Sequence, residues 1–109
     1  MKKPPEAFFK HMLESVERIE TYVGDYKKRE FMADPKTQDA VIRQFEIMGE
    51  AAGQVSANAV TDAPVPWRAI VGMRNRLIHD YMGVDLEIVW KTVKDELPRL
   101  KRYLKIKIN

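Results

Sequence analysis

Residues 34–52, DPKTQDAVIRQFEIMGEAA, decide the fold class. The stretch opens with an aspartate and a proline, a pair typical of a helix start, because the carboxylate can cap the first turn and proline suits the first helical position. Apolar residues then recur every three or four positions, which places them on one face of a helix. This face comprises Val41, Phe45, Met48, Ala52 and Val55. The stretch therefore predicts a long helix with one buried side.

Three further segments repeat this helical period, and no segment shows the period of two that a strand would have. We expect them to begin at Pro4-Pro5, at Pro66-Trp67 and at Asp85, which would act as an N-cap. Pro98 should kink or restart the last helix, since proline removes a backbone donor and its ring clashes with the preceding turn.

Residues 25–35 and 57–67 are interpreted as connections between these helices. The sequence thus predicts one domain, residues 1–109, with an all-α fold. The expected architecture is an up-and-down bundle of four helices, or of five if Pro98 divides the last one.

The composition narrows the class of protein. The 109 residues are 45% hydrophobic and 32% charged, as in an ordinary soluble globular domain. The absence of cysteine excludes disulfides and thiolate metal sites and fits the reducing cytoplasm, where we expect the protein to act. We expect neither a membrane span nor a secretory signal, because no apolar run is long enough and none follows Lys2 and Lys3. A net charge of +3 is compatible with a nucleic acid or an acidic protein as partner, without selecting either.

Residues 74–81, RNRLIHDY, crowd polar side chains into a predicted helix. On a helical wheel, Arg74 and Tyr81 fall in the middle of an apolar stripe. The apolar members of this stripe are Trp67, Ile70, Val71, Leu77 and Ile78. Because an unpaired buried charge is very costly, Arg74 must find a partner or extend its side chain to solvent.

A second stripe on the same helix consists of Arg68, Gly72, Asn75 and His79. A glycine inside a helix costs about 1 kcal/mol relative to alanine, and the usual reason for one is the close approach of another backbone. We therefore predict that this stripe contacts another helix. The same helix of a second subunit is one candidate, and such a homodimer would bring two copies of Asn75 and His79 towards one cleft.

The polar residues of this helix suggest a reaction. Histidine can transfer protons near neutral pH, and arginine can hold a phosphate and stabilise charge that develops on it. His79 and Arg74, without a carboxylate cluster, suit metal-independent RNA cleavage in which the 2′-hydroxyl is the nucleophile. Asn75 could orient the imidazole ring or bind phosphate. Spacing alone leaves the alternative open that His79 belongs to a purely structural interface.

A family resemblance adds to this interpretation. RNRLIHDY resembles the R-x-x-x-x-H signature of the HEPN superfamily, and the tyrosine two residues after the histidine resembles its HepT branch. Residues 34–52 are similar to the second helix of that branch and residues 65–81 to its third, so the resemblance covers essentially the whole chain. It implies an up-and-down helical bundle that forms a homodimer, with the two motifs lining a shared cleft.

The resemblance also implies an activity. HepT proteins are the toxins of HepT–MNT toxin–antitoxin modules and are described as endoribonucleases that cleave mRNA or tRNA without a metal or cofactor. Arg74 and His79 would be catalytic and Asn75 supporting. Tyr81 matches the tyrosine to which an MNT-type nucleotidyltransferase antitoxin transfers AMP, which silences the toxin. Some relatives are instead non-catalytic, nucleotide-binding companions of such a transferase, and this alternative remains open.

The C-terminal residues 98–109, PRLKRYLKIKIN, contain five basic residues and no acidic one. Lys101, Arg102 and Lys105 are candidates for binding RNA phosphates, with an affinity that would fall as salt rises. The run could equally bind an acidic antitoxin surface. It could also be a solvated helix end, where the helix dipole favours cations.

Overall fold

The computed structural model describes residues 4–72 and 84–108, and all the regular secondary structure in these two ranges is helical. The elements are α1 (Pro5–Val23), α2 (Lys28–Met32), α3 (Pro35–Gly53), α4 (residues 67–72 where described), α5 (Leu86–Lys91) and α6 (Leu97–Ile108). A 3₁₀ turn covers Ala57–Val60, and a π-helical turn at Thr92–Glu96 joins α5 to α6. The all-α prediction is confirmed, whereas the exact number of bundle helices stays a prediction. None of the helices in the two ranges has both the length and the apolar character that crossing a membrane requires.

The core forms where α1 packs against α3 and α6. Met12, Val16 and Ile19 of α1 are fully buried there, together with Val41 of α3 and Leu104 of α6. The other predicted residues of the α3 face, Phe45, Met48 and Ala52, are buried as well. Val55 is also buried, although it lies just beyond the end of α3. The period of three to four residues therefore identified the buried face correctly.

Two predicted N-caps are present in the structure. The Asp34 carboxylate accepts hydrogen bonds from the Thr37 hydroxyl at 2.6 Å, the Tyr26 hydroxyl at 2.7 Å and the Thr37 backbone N–H at 3.1 Å. The hydrogen bonds from Thr37 and Tyr26 stabilise the charged form of the carboxylate and lower the pKa of Asp34 to about 2. At the start of α5, Asp85 accepts from the backbone N–H groups of Glu87 and Ile88. Each cap satisfies backbone donors that have no partner inside the helix.

Helix α2 corrects the interpretation of residues 25–35 as a simple connection. Its Phe31 is fully buried, and the ring lies 5.2 Å from the Trp90 ring of α5, measured between centroids. The Gln38 side-chain amide donates hydrogen bonds to the carbonyls of Phe31 and Met32 at 2.9 and 3.1 Å. A helix of five residues is too short for a periodic pattern to reveal it. It is nonetheless fixed to both α3 and α5.

The sequence predicted that Pro98 kinks or restarts the last helix, and α6 begins at Leu97, directly before this proline. Lys91 and Leu97, on either side of the π-helical turn, both have helical backbone angles, and the Leu97 N–H donates to the Thr92 carbonyl five residues earlier. A single π-helical turn of this kind interrupts the regular hydrogen-bond ladder of an α-helix. The regular α-helical pattern is therefore interrupted in the turn before Pro98 and resumes at Leu97.

Candidate functional site

The sequence-predicted site residues divide into two groups. Arg74, Asn75, His79 and Tyr81 lie outside the described residues, so their roles stay predictions. The others belong to the described part of the chain and are Arg68 and Gly72 of α4 and Lys101, Arg102 and Lys105 of α6. The structure therefore shows how α4, which precedes the motif in the sequence, is attached to the rest of the fold.

The predicted start of α4 at Pro66-Trp67 is confirmed. The Pro66 carbonyl accepts hydrogen bonds from the N–H groups of Ala69 and Ile70 at 3.0 and 3.3 Å. The Trp67 indole N–H donates to the Ala52 carbonyl at the end of α3, at 3.0 Å. This bond fixes the first turn of α4 to α3, seven residues before Arg74.

The Trp67 ring also contacts two other helices. It meets the Phe9 ring of α1 edge-on, with centroids 6.1 Å apart, and the Tyr103 ring of α6 at 6.3 Å. Such edge-to-face pairs are favourable beyond the apolar area that they bury. One side chain thus anchors the beginning of α4 to α1, α3 and α6.

The connection before α4 has a second attachment to α6. The Tyr103 hydroxyl donates to the Asp62 carboxylate at 2.7 Å, and the Lys107 ammonium lies 3.2 Å from the other Asp62 oxygen. Burial, together with the hydrogen bond to Asp62, raises the pKa of Tyr103 well above its usual value. The hydrogen bonds from Tyr103 and Lys107 lower the pKa of Asp62. Sequence reasoning missed this network, because Asp62 and Tyr103 are 41 positions apart and neither belongs to a local motif.

Gly72 has open space where a side chain would point. A Cβ atom added there would meet no atom within 4 Å, whereas one added at Gly53 would lie 3.6 Å from Val71. Within the described part of the chain, the close helix contact predicted for Gly72 is therefore not made. Arg68, on the same predicted stripe, is exposed. Contact of this stripe with a second subunit stays a prediction.

The basic residues of α6 fall into two classes. The Lys101 ammonium lies 2.9 Å from the Glu20 carboxylate of α1, and this hydrogen bond raises the pKa of Lys101. Lys107 is paired with Asp62, as described above. The remaining three are exposed and form no ion pair within the described ranges; they are Arg99, Arg102 and Lys105.

A surface groove of about 480 Å³ lies beside α5. Lys28 and Glu87, 3.3 Å apart, pair at this groove, and the Lys94 ammonium stands 4.8 Å from the Trp90 ring centroid. Positive and negative side chains both line it, so it lacks the single-sign field that attracts a polyanion. Across residues 4–72 and 84–108, no three His, Cys, Asp or Glu side chains are grouped so that they could hold a metal ion.

Comparisons with known proteins agree on one family. The family model described as "Ribonuclease HepT-like" matches residues 12–106. The chain is 40% identical over 102 residues to "Probable ribonuclease HepT" of Thermococcus cleftensis, covering 93% of each chain. It is 37% identical to a "Putative RNase" of Methanocaldococcus jannaschii, covering 96% of this chain and 97% of that one. A "Putative RNase" of Caldanaerobacter subterraneus is 35% identical, covering 94% and 93%. No solved structure gives a significant match.

Proposed function

Because the chain belongs to the HepT-like family of the HEPN superfamily, we propose that it is a metal-independent endoribonuclease and the toxin of a toxin–antitoxin pair. The observation that carries this proposal is that the family match, residues 12–106, spans the motif at 74–81. The arginine, asparagine, histidine and tyrosine of the motif are all present in this chain. The names of the relatives, which describe ribonucleases, support the same activity.

The proposed reaction is an intramolecular transesterification of RNA. A general base removes the proton of a 2′-hydroxyl, the 2′-oxygen attacks the adjacent phosphorus, and the bond to the 5′-oxygen breaks as a general acid protonates that oxygen. The products are a 2′,3′-cyclic phosphate and a 5′-hydroxyl. In this proposal His79 transfers protons, Arg74 stabilises charge on the phosphate and Asn75 orients the site. Two copies of His79 in a homodimer would supply the base and the acid.

The homodimer belongs to the proposal because the family resemblance implies it, and the open space at Gly72 leaves room for a second backbone. We expect Gly72→Ala to stabilise the isolated fold slightly, because alanine is the better helix former by about 1 kcal/mol, but to weaken the dimer, because the methyl group would separate the two backbones. Gly53→Ala is the matched control, since Gly53 is also helical and its added Cβ would make only an ordinary contact. Sedimentation velocity over a range of protein concentrations would measure the effect. An unaltered dimer in Gly72→Ala would contradict an interface at this residue.

Regulation in this proposal follows from Tyr81. In the cytoplasm, an MNT-type nucleotidyltransferase would transfer AMP from ATP to the Tyr81 hydroxyl and release pyrophosphate. The added phosphate and adenosine would block access of RNA to the site. The toxin would then be active only when the tyrosine is unmodified. RNA cleavage must therefore be measured with protein whose mass shows that no AMP has been added.

Cleavage of a labelled RNA in excess EDTA tests the proposed function. We expect the unmodified protein to cut the RNA and to leave a 2′,3′-cyclic phosphate end, because neither the nucleophile nor the proton transfers require a metal. End-group analysis by mass spectrometry distinguishes this product from the 3′-hydroxyl or linear phosphate of a metal-dependent enzyme. Absence of cleavage by folded, unmodified protein would contradict the proposal and favour a non-catalytic, nucleotide-binding companion of a nucleotidyltransferase.

A further inference from the structure

The cations of α6 are not equivalent, and their differences define a surface. Lys101 and Lys107 each form an ion pair, with Glu20 and Asp62 respectively, and both side chains are only 28% exposed. Their charges are compensated within the fold, where they join α6 to α1 and to the connection before α4. Arg99, Arg102 and Lys105 are exposed and have no such partner in the described part of the chain. We call these three residues the α6 basic row.

The row follows from the geometry of the helix. Its members are three residues apart, so each is displaced from the next by about 4.5 Å along the axis and about 60° around it. The row therefore crosses the solvent face of α6 at a slant, away from the buried Leu100 and Leu104. No acidic residue occurs from Leu97 to the end of α6 to neutralise the row locally. Two of its three members are arginines, which bind phosphate oxygens through two parallel hydrogen bonds.

We propose that the α6 basic row binds the phosphate backbone of the RNA substrate, outside the catalytic motif. The inference rests on the proposed function, because that function supplies the RNA. Lys101, a candidate RNA contact on sequence grounds, is not part of the row, because its ammonium is already bound to Glu20. Contacts to phosphates do not read the base sequence, so the row would contribute affinity and position rather than sequence specificity.

An acidic protein is the alternative partner for such a surface. The chemistry of the α6 basic row favours RNA over an acidic protein. The centre of a protein–protein interface is normally apolar and depleted of charge, with aromatic residues enriched. On this face Ile106 is the one large hydrophobic side chain of α6 that is strongly exposed, and it lies one turn beyond Arg102, near the end of the helix. The middle of the face is occupied by Arg102. Interfaces with nucleic acids are more polar and much more positively charged, as this face is.

The salt dependence of RNA binding tests the proposal. The probe is a fluorescent oligouridylate with methylated 2′-hydroxyls, which the proposed reaction cannot cleave. The row variant R99Q/R102Q/K105Q is compared with the unsubstituted parent protein and with K10Q/R18Q/R43Q. Each variant loses three positive charges, so the two have the same net charge. In the control, the replaced cations are exposed and each is paired with a carboxylate. Circular dichroism establishes that both are folded.

We expect the row variant to bind the probe more weakly and the control to bind like the parent. A single-stranded nucleic acid releases about 0.7 counterions per neutralised phosphate, so the slope of log K against log salt should fall by about 2 in the row variant. Equal binding by both variants, or equal loss in both, would overturn the proposal. Loss of labelled polyglutamate binding with RNA binding intact would also overturn it and assign the row to an acidic polypeptide.

The design separates this proposal from the proposed function. RNA binding through the row, without cleavage of unmodified RNA, would refute the ribonuclease and leave the row as an RNA-binding surface. Cleavage of unmodified RNA, with the same salt dependence in all three proteins, would refute the row and leave the ribonuclease.

Discussion

Replacing His79 by alanine should lower the rate of RNA cleavage by at least about 10²- to 10⁴-fold, the usual contribution of one general acid or base, because the homodimer would lose both copies. In the proposed reaction the imidazole moves the proton that must leave the 2′-hydroxyl or reach the departing 5′-oxygen. Alanine can do neither, and water would have to replace it. Single-turnover cleavage of a labelled RNA, at protein concentrations above the dissociation constant, would measure this loss without contributions from binding.

The chain provides a matched control, because it contains two histidines and the other, His11, is exposed on α1. His11→Ala should cleave RNA at the rate of the parent. Arg74→Ala should lose activity as His79→Ala does, since the phosphate charge would no longer be stabilised. All three variants should have the unfolding temperature and sedimentation of the parent. If His79→Ala cleaves as fast as His11→Ala, the catalytic assignment is wrong.

Phe31→Ala should lower the free energy of unfolding by about 3–5 kcal/mol, the range for truncating a buried phenylalanine. Phe31 is fully buried between α2, α3 and α5, and its ring packs on that of Trp90. Removing it leaves a cavity and releases α2, which has no other buried residue. Since domains of this kind are stable by only about 5–15 kcal/mol, this single change would remove a large part of the total. Urea unfolding followed by circular dichroism would give the value.

Phe8→Ala makes the same chemical change at a position that is only partly buried against the core. We expect its effect on the free energy of unfolding to be clearly smaller, because less apolar area is lost and solvent can fill the space. Equal destabilisation by the two substitutions would show that the α2–α5 contact contributes no more than the surface of α1.

Local signals in the sequence were sufficient to predict where α1, α3, α4 and α5 begin. The caps formed by Asp34 and Asp85, and the prolines at positions 5, 35 and 66, act within one turn of their own position. The buried face of α3 follows likewise from its period. Helix α2 could not be predicted in this way. Its one buried residue, Phe31, packs against residues of α3 and α5, and no periodic pattern around it indicates this burial.

Contacts between distant residues could not be predicted in this way. Lys101 and Arg102 are adjacent cations, and what separates their roles is Glu20, 81 positions away from Lys101. The bond from Trp67 to Ala52 likewise depends on how α3 and α4 are arranged. The motif at 74–81 differs from these contacts, because its residues are close together in the sequence. They were identified from the sequence and from the family resemblance.

The anchoring of Trp67 gives the protein an optical reporter. The chain has two tryptophans, and they bracket the motif in sequence, Trp67 before it and Trp90 after it. Their surroundings differ, since the Trp67 indole is hydrogen-bonded to a carbonyl while the Trp90 ring has the ammonium of Lys94 above it. Replacing either one with phenylalanine leaves a single tryptophan on one side of the motif, and excitation at a wavelength that tyrosine does not absorb selects its emission. Intrinsic fluorescence can therefore follow the two flanks of the proposed site separately, without an attached dye.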